Sequence, residues 1–95
     1  VSGKAAAAVA LHRRFGVPVQ IRPDVVDDDG TAVVRVYKVA DRAAALAYVD
    51  AEVHGPWSNP ARAELRESVG WCVIVDVRAY VAAHRVEHPL PRIRG

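Results

Sequence analysis

Cys72 is the only cysteine in this 95-residue chain, which excludes an internal disulfide framework and any cysteine-built metal cage. Aromatic residues make up 6%, with one phenylalanine, too few for the stacking platforms that grip single-stranded nucleic acid. No apolar run approaches the ~18–20 residues of a membrane-spanning helix. Neither a glycine-rich phosphate loop nor a Gly-x-Ser-x-Gly elbow occurs, which removes the signatures of P-loop and α/β-hydrolase chemistry. Acidic residues are missing from positions 1–22, where Lys4, Arg13, Arg14 and Arg22 stand alone.

The start, Val1-Ser2-Gly3-Lys4 before four alanines, has the outline of a secretory leader. The stretch Ala5–Ala10 is nevertheless too small and short, and His12-Arg13-Arg14 follows where a cleavage site belongs. The segment therefore reads as a helix of an intracellular, cytoplasmic protein with no membrane partner. Hydrophobic residues at 52% and charged residues at 25% fit a folded globular chain. The expected organisation is one domain over residues 1–88 with a Pro- and Arg-rich tail over 89–95. Alanine fills 17 positions and buries little area, so a core must rest on Val, Leu, Ile, Tyr and Trp. The middle of the chain, 23–83, carries ten acids against six bases, while Arg85, Arg92 and Arg94 outnumber Glu87 at the end. Basic ends around an acidic middle are compatible with a polyanion or an acidic protein as partner.

Ser2 can cap a first helix to about Arg14, closed by Gly16, with Ala7, Ala8, Leu11 and Phe15 facing the core. Two β-patterned runs within Val17–Val39 then flank Asp27-Asp28-Asp29-Gly30, a hairpin signal. Pro23 inside the first run marks an edge strand or a bulge. Asp41 caps a second helix, Arg42 to Val53, with Ala45, Leu46, Val49 and Val53 as its apolar stripe. Asn59-Pro60 reads as the start of a third helix ending at Gly70, with Ala61, Leu65 and Val69 buried and Arg62 and Arg66 on the other side. Trp71-Cys72-Val73-Ile74-Val75 is a strand buried on both faces and central to its sheet. Residues 76–87 fit either a strand or a helix; a helix capped by Asp76, with Val77, Tyr80, Val81 and His84 on one stripe, is favoured because Ala82-Ala83-His84 continues a strand poorly. The expected fold class is α+β: a small three-stranded sheet, made of the N-terminal hairpin and the buried third strand, with about four helices in the order α-β-β-α-α-β-α.

His84-Arg85-Val86-Glu87-His88 matches H-x-x-E-H, in which two histidines bind zinc and a glutamate acts as base. Pro89 follows at once and seven residues remain, leaving no place for a later ligand, so His84 and His88 are weak metal candidates and no cofactor is expected. Cys72, inside an apolar strand, reads as a small core residue rather than a nucleophile. Asp50 and His54, four apart, suit a surface ion pair. Asp27-Asp28-Asp29-Gly30 lacks the alternation of a calcium loop and reads as a solvated turn. Trp57 sits in the His54–Ser58 break, as a core plug or an interface anchor.

By elimination the chain reads as a non-enzymatic binding or regulatory module, an adaptor or inhibitor acting through protein contacts and capable of self-association. The hairpin edge or Trp57 is the expected contact, since strand addition needs no special side chains. The alternative is a nucleic-acid binder using Arg13, Arg14, Arg22, Arg35 and Lys38. A small metal- or cysteine-dependent hydrolase is the third reading.

Overall fold

The computed structural model describes residues 3–55 and 58–89. Helix α1 spans Gly3–Phe15, followed by strands β1 (Val19–Gln20), β2 (Val25–Val26) and β3 (Ala32–Lys38). Helix α2 (Arg42–His54), strands β4 (Ala61–Arg66) and β5 (Gly70–Asp76), and helix α3 (Arg78–Glu87) complete the order. The class is α+β, with an antiparallel sheet ordered β1-β3-β5-β4 and β2 paired beside β1 on the same flank of β3. The expected Ser2 cap and the tail beyond Pro89 lie outside the described residues.

The hairpin forms around the aspartates, but its first arm is broken. Ile21 N–H donates to Val36 O and Asp24 N–H to Val34 O, while Arg22 and Pro23 form an excursion between them. A ring nitrogen cannot donate to the ladder, so the arm bends at Pro23 and stays at the sheet edge. Its turn is organised by Asp27, whose Oδ1 accepts from the N–H groups of Asp29 and Thr31, both at 3.0 Å. Gly16, at φ +84°, donates to His12 O and closes α1, as its freedom from a Cβ clash permits.

Three sequence expectations need correction. The segment read as a third helix, 60–70, is the strand β4 and a turn, so the described residues hold three helices and five strands rather than four and three. Ala61-Arg62-Ala63-Glu64-Leu65-Arg66 is made of good helix formers, yet it also alternates small or apolar with charged residues at period two. Pairing along the whole of β5, from Ala61 opposite Val75 to Arg66 opposite Gly70, outweighs a per-residue propensity of about a few tenths of a kcal/mol. Gly70, at φ +80°, supplies the left-handed residue that the turn requires. The stripes on α2 and α3 are also rotated from expectation. Ala44 and Ala45 are the buried residues of α2, whereas Leu46 and Val53 are exposed. On α3 the inward positions are Val81 and Arg85, following the buried Val77 just before it, with Tyr80 and His84 outward. The helix favoured above does form, over 78–87, but Asp76 ends β5 and Val77 is the N-cap, without a side-chain cap; Asp76 Oδ1 still accepts from Arg78 N–H at 3.0 Å. Within α1, Ala8, Leu11 and Phe15 are half-buried and Ala7 is exposed.

Strand β5 is interior, as its apolar run implies, and its alternate residues feed two cores. Val73, Val75 and Val77 join Val39, Ala44 and Ala45 beneath α2, with Phe15, Tyr48 and Ala63 around them. On the opposite face Cys72 and Ile74 pack with Val34 and Val36, flanked by Ile21 and Val69 rather than by a helix. Arg66 of β4 closes this face with a two-pronged ion pair to Asp24, at 2.9 and 3.1 Å, joining positions 42 residues apart on opposite sides of the sheet. Strand twist lifts diagonal corners of a sheet toward one face, which brings these two side chains together.

Candidate functional site

The sheet has two edges, and they differ. The β1–β2 edge is short, bulged and interrupted by Pro23, which are the usual devices against pairing with another chain. The β4 edge is six residues long, unbulged, and free of proline between Ala61 and Arg66. Its hydrogen-bonding phase follows from its neighbours. Asp76 N–H donates to Pro60 O, so in an antiparallel ladder Arg62, Glu64 and Arg66 also turn their N–H and C=O groups toward β5. Ala61, Ala63 and Leu65 therefore turn theirs outward, and no described strand pairs with them. Leu65 is 57% exposed.

The side chains of the edge divide cleanly. Arg62, Glu64 and Arg66 share the Cys72 face, where Glu64 accepts from Arg62 Nε at 3.4 Å and from Arg66 Nε at 3.3 Å. Ala61, Ala63 and Leu65 share the face beneath α2. That helix packs over β4 and β5, and Tyr48 fixes its orientation by donating from its hydroxyl to Gly16 O at 2.6 Å, on the α1 side. Ala47 and Ala51 are half-buried on that helix as well. Leu46 and Val53 project from α2 into solvent, 47% and 39% exposed.

A concavity of about 230 Å³ lies between α2, α3 and the sheet, lined by Arg35, Tyr37, Glu52, Asn59, Val75, Val77 and Tyr80. Asn59, not a helix cap, is 8% exposed and donates from Nδ2 to Glu52 Oε2 at 3.3 Å. Arg35 spends its Nε on Ala32 O at 3.0 Å. The lining holds polar groups able to orient a bound molecule, and among them the Glu52 carboxylate is already engaged by Asn59.

The residues singled out for nucleic acid are dispersed. Arg13 and Arg14 are exposed on α1, Arg22 lies on the excursion between β1 and β2, and Arg35 and Lys38 project from opposite faces of β3. Trp57 lies outside the described residues. His84 and His88 stack with ring centres 4.7 Å apart, next to Tyr80, and among the described residues no group of three or more His, Cys, Asp or Glu gathers to hold a metal. Asp50 and His54 meet at 3.6 Å on the surface of α2.

Cys72 is fully buried, and burial pushes its thiol above its ordinary pKa, away from the reactive thiolate. The aspartate turn is not simply solvated. Arg85 of α3 reaches Asp27 at 2.8 Å, Asp29 at 3.0 Å and the Thr31 hydroxyl at 3.0 Å, fastening the turn to the last helix. Burial alone would raise the Asp27 carboxyl, but the Thr31 N–H, Arg85 and the Asp29 N–H together hold it below its ordinary value.

Sequence reasoning missed the β4 edge. The signal was there in the period-two alternation of Ala61–Arg66 and in a turn of Glu67–Gly70 placed directly before the apolar run. Compared with protein-family models, with curated proteins and with solved structures, the chain matches none.

Proposed function

We propose that this chain is a non-enzymatic binding module that works through protein contacts, and that its contact surface is the β4 edge. One observation carries the reading: Ala61, Ala63 and Leu65 direct main-chain donors and acceptors outward along an unbulged strand, and no described strand pairs with them. Such an edge is a template for strand addition, in which backbone hydrogen bonds supply affinity and alternate side chains supply selectivity. Leu65, 57% exposed on the strand, adds apolar area to be covered on one face of the added strand. The burial of Cys72 weighs against the cysteine-dependent alternative, since a buried thiol with a raised pKa is a poor nucleophile.

The test is recovery of bound material from a native extract by the wild-type chain and by Ala63→Pro, with and without nuclease. Proline at 63 removes an outward N–H and leaves the β4–β5 ladder complete, which edge strands tolerate. The expected result is a protein partner retained after nuclease and lost with Ala63→Pro. Material released by nuclease, and indifferent to Ala63→Pro, sinks the reading in favour of a polyanion partner.

A further inference from the structure

We propose that the occupant of the β4 edge is a second copy of this chain, paired antiparallel about a two-fold axis at Ala63. The inference rests on the strand-addition reading above and names its partner.

Self-pairing of an antiparallel edge has few registers, and the charges on β4 choose among them. With the axis at Ala63, Ala63 faces its own copy, and Ala61 and Leu65 face Leu65 and Ala61 of the second copy. These are the residues whose main-chain groups point outward, so each such pair exchanges both N–H···O=C bonds. Arg62 then stands directly opposite Glu64 of the second copy, and Glu64 opposite Arg62, on the face where both are already exposed. These are non-hydrogen-bonded positions, where opposing Cβ atoms come closest and opposite charges attract best. Moving the axis by one residue destroys the match. An axis at Arg62 sets the two arginines face to face, and an axis at Glu64 sets the two glutamates face to face. Like charges directly opposite are destabilising; an axis at Leu65 also sets Glu64 opposite Arg66 but pairs only the last three residues of β4, so the Ala63 axis is the charge-matched register with the longer ladder.

The two-fold runs perpendicular to the sheet and keeps α2 of both copies on the same face. Leu65, exposed in the single chain, then packs on Ala61 across the seam. The contact is isologous, as a closed dimer requires. A strand pair of this length buries less than the ~1,200 Å² of a standard stable interface, so the dimer is expected to form in the micromolar range.

The experiment is sedimentation equilibrium of the wild type, Ala63→Pro, Arg62→Glu, Glu64→Arg, and an equimolar mixture of the last two. The expected results are a concentration-dependent dimer for the wild type, and a monomer for Ala63→Pro. Each single charge reversal should weaken self-association about tenfold, since both symmetry-related pairs turn repulsive. The mixture should regain dimer, because the Arg62→Glu chain sets two carboxylates on its edge and the Glu64→Arg chain sets two guanidinium groups opposite them. Restoration by mixing cannot come from misfolded variants, which keeps the test decisive if one substitution is destabilising. A wild type that stays monomeric into the high micromolar range overturns self-pairing while leaving Ala63-dependent capture of a different protein to stand. A dimer that survives Ala63→Pro, or a mixture no more associated than its components, overturns the proposal.

Discussion

Cys72 and Asp41 show how single side chains are committed to structure. The Cys72 thiol has no exposure, and the charges nearest it are Arg66, Glu64, Lys38 and Asp24, which lie over the same sheet face. Alkylation of Cys72 in the native protein is therefore expected to be slow and to accelerate in step with global unfolding. Labelling followed across a urea titration checks this, and rapid native labelling would contradict the packing of that face. Asp41 accepts from Ala44 N–H at 2.9 Å and caps α2. Replacing it with alanine leaves an orphan donor at the helix start and should cost about 1 kcal/mol of stability, read from the denaturation midpoint.

At the scale of the element, β4 is the instructive case. Its residues favour helix one by one, and Arg62 and Arg66 stand at a helical spacing. The same residues alternate at period two, and only a neighbouring strand decides between the two periods. β5 supplies that neighbour over the full length of β4. Amide exchange gives a direct check of the assigned phase: in the monomer, Arg62, Glu64 and Arg66 N–H groups should be protected while those of Ala63 and Leu65 exchange quickly. Protection alternating in the opposite sense would move the free main-chain groups to other residues. The β1–β2 flank was more legible, because Pro23 states its own constraint: a residue without an N–H belongs at an edge or a bulge.

Over the whole molecule, ion pairs join parts of the chain that are distant in sequence. Asp24 meets Arg66 across the sheet, and Asp27 meets Arg85 between the hairpin turn and α3; Asp76 is held locally by Arg78. The side-chain hydrogen bond from Arg66 lowers the Asp24 carboxyl from its ordinary 3.8, and the one from Arg78 does the same for Asp76. Asp27 is lowered too, as described. A depressed folded value means that the stabilisation is complete above the unfolded carboxylate value. It is lost as pH falls through the folded one, because there the unfolded chain binds protons that the folded chain does not. The urea midpoint is thus expected to hold level from about pH 7 down to about 5 and to decline below about 4. A decline already complete at about pH 5 would mean that other groups govern acid unfolding.

The sequence by itself determined the α+β class, helices α1 and α2, the aspartate turn, the edge position of the Pro23 run and the interior strand of Trp71–Val75, and it favoured α3 as a helix over a strand. These follow from local chemistry: caps, prolines, a positive-φ glycine and an unbroken apolar run each constrain their own few residues. Tertiary structure alone decided that Ala61–Arg66 is a strand, which way α2 and α3 are turned, and that Arg66 and Arg85 reach Asp24 and Asp27. Those outcomes depend on which surfaces lie within reach after folding. Helical and strand periods coexist in a short alternating segment, and a charge carries no local mark of its distant partner.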